Sequence, residues 1–375
     1  METRLARNAG FCAGVRRAVK MAEEAAEQGG KWYSLGPLVH NDAVVENLKE
    51  KGIITVNRID EIQAGKDVGV IIRSHGVPPE IIEQAQKRGL GIKDATCPLV
   101  KRVHEIVASL RGEGYEIVVF GDANHPEVKA ITGWCDYQVR VIASVDEACK
   151  LQAVGKLGLV SQTTRDENDF YAVAAALIPA AKETRIFNTI CSATRKRQQT
   201  AREICFEVDL MLVLGDPKSS NTSTLTRECK NTGVKTLQIR DVSDIPSDCL
   251  QGVSRIGVTA GASTPDWIIK EVLDRMTEFE EKSQQGLEQE VLNNEVPDNE
   301  ITNEEVPDNE VTNEEVPNNE VTNEEVPNNE VTNEEVPNNE ESFAKMEAEM
   351  ADFETPNRGD IIKGTVIQVQ DDEVM

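Results

Sequence analysis

The chain has 375 residues, of which 39% are hydrophobic, and this length and composition predict more than one domain with a real core. Its formal net charge of −26 is concentrated late in the chain: residues 283–341 contain 19 acidic residues and no Lys or Arg, which leaves residues 1–282 with a net charge of −2. A nearly neutral body argues against nucleic-acid binding. The chain also lacks the run of about 18 apolar residues that a membrane span needs.

Residues 1–282 alternate short apolar strands with amphipathic helices. Val15, Val19 and Ala22 lie on one face of a predicted first helix, which Gly29 and Gly30 end. The apolar runs that follow each lead into a small polar turn, at 68–76, 115–127, 157–164, 209–222 and 255–264. This alternation predicts an α/β fold with parallel sheets, which bind ligands at the carboxyl ends of their strands.

Three cysteines share one local context. Cys12, Cys97 and Cys191 each directly precede a predicted helix, where free backbone N–H groups favour a thiolate. They are 85 and 94 residues apart, which suggests three similar lobes that each present one thiolate to a common centre. We place these lobes at about 13–96, 97–190 and 191–281.

Three thiolates suit a 4Fe–4S cluster that keeps one iron open. The chain has no Cys-x-x-Cys pair, which argues against a ferredoxin-type or structural zinc site. From spacing alone, three unrelated buried cysteines remain an alternative. The other five cysteines lack this context, and we predict that they are buried small apolar residues: Cys135, Cys149, Cys205, Cys229 and Cys249.

The chain contains only four histidines. His40, His75 and His125 each lie just past an apolar run, at the expected ligand end of a strand. This shared position favours a functional role, whereas His104 lies inside a predicted helix and is expected to be structural.

Two turns rich in hydroxyl groups directly precede helices, at 218–224 and 261–265. Such turns can bind phosphate, although ordinary helix capping explains either one alone. Together with the three histidines, they favour a diphosphate ligand. Glu127 is the candidate proton donor because it stands beside His125, and Gln162 and Thr163 lie at another strand end.

Nine motifs in order make the sequence similar to a known family. They are GFCAGV (10–15), VHN (39–41), SHG (74–76), DATCPLV (94–100), HPEV (125–128), SQTT (161–164), the Cys191 turn, SSNT (219–222) and TAGAS (259–263). Over about residues 4–281 the chain resembles the 4-hydroxy-3-methylbut-2-enyl diphosphate reductases. That resemblance implies three α/β lobes with parallel sheets around a central iron–sulfur cluster.

The resemblance also implies a role for each matching residue. The ligands of one 4Fe–4S cluster match Cys12, Cys97 and Cys191. The substrate-binding positions match His40, His75, His125, Ser219, Ser220, Asn221 and Ser263. The proton-supplying acid matches Glu127, and its hydrogen-bonding partner matches Thr163.

The implied activity is the reductive removal of a hydroxyl group from a small allylic diphosphate, which gives isopentenyl and dimethylallyl diphosphate. The implied partners are this substrate and an external electron donor such as ferredoxin or flavodoxin, with no membrane. A phosphate-binding protein without redox activity is the alternative. Since the N-terminal segment METRLARNAGFCAGVRRAVK lacks the apolar core of a signal peptide, we expect a cytoplasmic protein with reduced cysteines.

The C-terminal region differs in composition from the body. Five copies of an acidic decapeptide fill residues 290–339, so we predict a disordered linker over 283–341. Residues 358–375, RGDIIKGTVIQVQDDEVM, resemble the first strand of a ribosomal OB-fold RNA-binding repeat. Because an OB-fold needs five strands, we expect 342–375 to be an incomplete stub of a truncated fusion that does not bind RNA.

Overall fold

The computed structural model describes residues 2–152, 154–246 and 249–293, together with 369–370 and 373–374. The chain divides into two compact units, Met1–Glu290 and Val291–Met375. Most of the predicted linker and OB-fold stub lies outside the described residues.

The first unit contains three four-stranded sheets in which all strand pairs are parallel. The first strand, β1 (Glu2–Leu5), belongs to the third of these sheets. The first sheet has the strand order β3-β2-β4-β5. Its lobe contains α1 (Ala13–Glu27), β2 (Lys31–Leu35), α2 (Asp42–Glu50), β3 (Ile54–Val56), β4 (Val68–Ile72), α3 (Pro79–Lys87) and β5 (Gly91–Asp94).

The second sheet repeats this arrangement with the strand order β7-β6-β8-β9. Its lobe contains α4 (Pro98–Gly112), β6 (Glu116–Phe120), α5 (Pro126–Gly133), β7 (Val139–Ile142), α6 (Val145–Ala148), β8 (Val154–Ser161), α7 (Glu167–Leu177) and β9 (Ala181–Ile186).

The third sheet has the order β1-β12-β10-β11, so the N-terminal strand lies at its edge. Leu5 of β1 is aligned with Val258 of β12. Its lobe contains α8 (Ser192–Cys205), β10 (Leu210–Leu214), α9 (Ser220–Asn231), β11 (Lys235–Ile239), β12 (Arg255–Ala260) and α10 (Asp266–Asn293). Helix α10 extends past residue 283, at which the linker is predicted to begin.

One central strand in each sheet is buried along nearly all of its length, as expected where helices cover both faces of a sheet. All five residues of Leu210–Leu214 are buried, as are four of the five in both β4 and β6. The five segments predicted from apolar runs correspond to β4, β6, β8, β10 and β12, which confirms the predicted α/β class with parallel sheets.

The connections of the three lobes are equivalent. In each sheet, the polar candidate residues follow the two central strands, whereas a cysteine follows one edge strand and begins the next helix. Thus Cys12 follows β1, Cys97 follows β5 and Cys191 follows β9. This repeated connection is the structural reason for the nearly even cysteine spacing.

Three short 3-10 turns, Ile59–Glu61, Ile178–Ala180 and Val242–Asp244, complete the first unit. In the second unit, β13 (Val369–Gln370) and β14 (Glu373–Val374) form an antiparallel pair. None of the helices in the described ranges is long and apolar enough to cross a membrane.

Candidate active site

One cavity in the first unit brings together all twelve candidate residues. It is lined by Cys12, Cys97, Cys191, His40, His75, His125, Glu127, Thr163, Ser219, Ser220, Asn221 and Ser263. These residues come from all three lobes and from turns far apart in the chain.

Each of the three cysteines is the N-cap residue of a helix, as the sequence predicts. Cys12 precedes α1, Cys97 precedes α4 and Cys191 precedes α8. Cys12 Sγ accepts a hydrogen bond of 3.4 Å from the Val15 amide. The three sulfur atoms therefore lie beside backbone N–H groups that can stabilise negative charge.

Gly14, in the first turn of α1, lies beside two of these sulfur atoms. A Cβ atom at this position would lie 2.8 Å from Cys97 Sγ and 3.9 Å from Cys12 Sγ. Glycine thus allows thiols from two lobes to approach each other. Three thiols facing one space form a soft donor set, which fits an iron–sulfur group.

Burial opposes ionisation of two of these thiols. It raises the pKa of Cys97 to about 12 and also raises the pKa of Cys191, although backbone N–H groups act in the opposite direction. The predicted effect of the helix starts is present in both residues, but desolvation outweighs it in the metal-free protein. A metal that replaces the protons would supply the missing stabilisation.

The three histidines form a compact cluster. Their ring centroids are 4.6 Å apart for His40 and His75, 5.6 Å for His40 and His125, and 5.4 Å for His75 and His125. One nitrogen from each ring lies within 4.8 Å of the others, so the cluster has the spacing of a possible metal site.

Electrostatics favour an anion over a metal cation at the histidines. Burial lowers the pKa of all three, to about 4 for His125, and the positive charge of Arg73 lowers the pKa of each ring further. The rings are therefore neutral near pH 7 and each offers one N–H group. A nearby guanidinium repels a cation and attracts a diphosphate.

Hydroxyl and amide groups of the third lobe face the same cavity. Ser219 is the N-cap of α9, where its side chain accepts from the Thr222 amide. Asn221 Oδ1 accepts a 3.2 Å hydrogen bond from the Ala262 amide, and Ser263 Oγ donates a 2.9 Å bond to the His40 carbonyl. The Asn221–Ala262 bond joins the two hydroxyl-rich turns to each other, and the Ser263–His40 bond joins them to the first lobe.

Ser220 connects the third lobe to the second. Its hydroxyl lies 3.0 Å from Gln162 Nε2, which donates to it, and 2.9 Å from Thr164 Oγ1. The turn after β8 is thereby held against the N-terminus of α9, where helix N–H groups and hydroxyls can bind phosphate oxygens.

Glu127 is 1% exposed and hydrogen-bonds to Thr163 through both carboxylate oxygens. Burial raises the pKa of Glu127 to about 7, although these two bonds act to lower it. A carboxyl group with this pKa keeps its proton in a large fraction of molecules at neutral pH and can donate it.

Sequence reasoning missed several residues that line the cavity, among them Ser74, Thr194 and Arg197. Ser74 stands beside His75 in the SHG motif, which is a usable signal. Thr194 and Arg197 lie within a strongly charged helix whose sequence does not distinguish them from their exposed neighbours.

The residues predicted to have no site role lie outside the cavity lining. His104 is buried and stacks on Trp134, with ring centroids 5.2 Å apart. The prediction of burial holds for Cys135, Cys205, Cys229 and Cys249, and it is wrong for Cys149, which is exposed at the end of α6.

Three thiols, a polar anion site and a buried acid in one cavity can combine redox chemistry with proton donation to an anionic substrate. The profile of a protein family described as "LytB protein" matches residues 3–277 of this chain.

Similar curated proteins include two that are named 4-hydroxy-3-methylbut-2-enyl diphosphate reductase. The protein from Geobacter metallireducens is 45% identical over 280 residues, which cover 75% of this chain and 98% of that protein. The protein from Geobacter sulfurreducens is 43% identical over 282 residues, which cover 75% and 99%.

Two solved structures of diphosphate reductases are also similar. The E-1-hydroxy-2-methyl-but-2-enyl-4-diphosphate reductase from Plasmodium falciparum has a TM-score of 0.69 and 30% identity, covering 74% of this chain and 88% of that one. The (E)-4-hydroxy-3-methyl-but-2-enyl diphosphate reductase described as the terminal enzyme of the non-mevalonate pathway has a TM-score of 0.56 and 41% identity, covering 74% and 100%. The chain therefore belongs to the LytB protein family.

Proposed function

We propose that this protein reduces 4-hydroxy-3-methylbut-2-enyl diphosphate to isopentenyl and dimethylallyl diphosphate, the last step of the methylerythritol phosphate route to isoprenoids. The observation that carries the proposal is that three cysteines, three histidines and the Glu127–Thr163 pair line one cavity in a member of this family. A phosphate-binding protein without redox activity would not need the three converging thiols.

Cys12, Cys97 and Cys191 would hold one 4Fe–4S cluster through three thiolates and leave one iron open. When bound, such a cluster supplies electrons one at a time and a Lewis-acidic site for the substrate hydroxyl. The proposal is supported by the three N-cap positions and by Gly14, which lets two of the sulfur atoms approach each other.

The diphosphate would bind at the other side of the cavity. Neutral N–H groups of His40, His75 and His125 would donate to its oxygens. The polar side chains of the third lobe would contact the same oxygens, namely Ser219, Ser220, Asn221 and Ser263. Because this anion site joins residues from all three lobes, substrate binding would draw the lobes together and exclude water.

Removal of the hydroxyl group consumes two electrons and two protons: the C–O bond breaks, a C–H bond forms and water leaves. Glu127 would supply protons through the Thr163 hydroxyl, which can accept a proton while it donates its own. The electrons would come from an external one-electron donor such as ferredoxin or flavodoxin, and we propose a cytoplasmic location.

The proposed function is tested with protein purified without oxygen. We expect a brown sample that dithionite bleaches, that contains iron and acid-labile sulfide, and that converts the hydroxylated diphosphate to both products. A sample that stays colourless after iron–sulfur reconstitution, yet binds inorganic diphosphate, would support the redox-inactive alternative instead.

A further inference from the structure

Arg197 is a buried cation with no carboxylate partner among the described residues. It lies in α8 with 3% of its surface exposed, and it lines the same cavity as the three thiols. Its guanidinium group donates hydrogen bonds of 2.8 Å to the Gly10 carbonyl and 3.4 Å to the Ala193 carbonyl. Its Nε has no hydrogen-bond partner within the described part of the chain.

Two other arginines of α8 show the contrast. Arg195 forms a 3.1 Å ion pair with Glu167, and Arg202 forms a 3.1 Å ion pair with Glu228. Both of these side chains are far more exposed than Arg197. These two exposed arginines are thus paired, whereas buried Arg197 forms no ion pair with any described carboxylate.

Such an arrangement is unfavourable unless a negative charge is added nearby. A buried cation without a partner loses its hydration and gains no ion pair in return. The negatively ionisable groups that act on Arg197 are Cys12 and Cys191, and no carboxylate acts on it among the described residues. Arg197 therefore faces the part of the cavity that becomes anionic when the cysteines bind metal as thiolates.

The hydrogen bonds of Arg197 place its charge between two candidate ligands. Gly10 lies two residues before Cys12, and Ala193 lies two residues after Cys191. The guanidinium group consequently joins the loop that precedes α1 to the first turn of α8. Lysine would keep the charge but could not make both bonds in this geometry, which allows the two roles to be separated.

We propose that Arg197 is the fixed counter-charge of the cluster and raises its reduction potential. Three thiolates carry more negative charge than an oxidised 4Fe–4S core carries positive charge, and each added electron makes the site more negative. A fixed cation therefore stabilises the reduced state more than the oxidised state. One electron passes from the external donor to the cluster, and Arg197 neither forms a bond nor transfers a proton. The proposal rests on the proposed cluster site.

The test compares Arg197→Gln, Arg197→Lys and the matched control Arg195→Gln in the full-length chain. Iron, acid-labile sulfide and the midpoint potential are measured anaerobically for each variant. For Arg197→Gln we expect the equilibrium constant of one-electron reduction to fall about tenfold, a shift of about 59 mV to more negative potential. Arg197→Lys should retain most of the wild-type potential, and the control should be unchanged.

The outcomes distinguish an electrostatic role of Arg197 from a purely structural role. The proposal is supported as well if Arg197→Gln fails to retain a cluster while Arg197→Lys holds one at the wild-type potential. It is overturned if a fully loaded Arg197→Gln has the wild-type potential, or if the lysine and glutamine variants lose the cluster equally. Failure of the wild-type protein to hold any cluster would instead overturn the proposed function.

Discussion

Glu127 and Thr163 are joined by two hydrogen bonds that occupy both carboxylate oxygens: the Thr163 amide lies 2.7 Å from Oε1 and its hydroxyl lies 2.9 Å from Oε2. This pairing fixes the acid in one orientation. It also leaves the threonine hydroxyl as the exit for a proton, because a hydroxyl can accept and donate at once.

Replacing Glu127 by Gln should lower turnover by at least ~100-fold, since the amide keeps the shape but cannot donate the proton as an acid. Cluster content and substrate affinity should remain near wild type. Anaerobic turnover, iron content and substrate binding are measured together. Glu105→Gln, an exposed position in α4, is the control and should behave as wild type. Near-normal turnover in Glu127→Gln would remove the acid from its role.

Turnover should decrease as the pH rises above about 7. Burial raises the pKa of Glu127 to about 7, so the proton needed for catalysis is lost through this region. Thr163→Ala removes a hydrogen bond that stabilises the carboxylate, so the pKa of Glu127 should rise further. The turnover of this variant should therefore decrease at a higher pH than that of the wild type. Thr163→Ser should restore the wild-type profile. A profile that is the same in all three proteins would show that another group titrates.

The same raised pKa affects stability in a defined direction. Between pH 4.5 and about 7, folded Glu127 holds a proton that the unfolded chain has released, so the free energy of unfolding should fall as the pH rises. The loss should be on the order of 3 kcal/mol for this shift. Glu127→Gln should lack this component, which denaturant unfolding at pH 5 and pH 8 would reveal.

The cysteines should separate into two classes when each is changed to Ser. Cys12, Cys97 and Cys191 variants should lose the visible absorption of the cluster and the activity, because serine is a poor ligand for iron at neutral pH. The other five should keep both, at a cost of at most a few kcal/mol where the hydroxyl is buried and almost nothing at exposed Cys149. A folded bystander variant without a cluster would overturn the ligand assignment.

Removal of residues 294–375 should leave cluster content and turnover unchanged. The family profile ends at residue 277, and curated relatives are matched over nearly their whole length without this region. The deletion keeps all of α10. Loss of soluble, cluster-loaded protein on truncation would show that the tail stabilises the body.

The sequence predicted features that leave a local signal. Buried parallel strands are continuous apolar runs, and a cysteine before Pro98 marks the start of a helix. Long-range features leave no such signal, and the pairing of β1 with β12 and the burial of Arg197 were therefore missed. The burial that raises the pKa of Cys97 to about 12 was missed for a related reason, since desolvation depends on what surrounds the residue in three dimensions.

The pairing of Glu2–Leu5 with Arg255–Val258 also orders events during synthesis. The first strand leaves the ribosome early but has no neighbour in its sheet until β12 follows. The Cys12 amide also donates a hydrogen bond to the Ala262 carbonyl after β12, so this contact cannot form until the end of the body has been made. We expect nascent chains that end before β12 to hold no cluster, so that metal loading follows translation of the whole body.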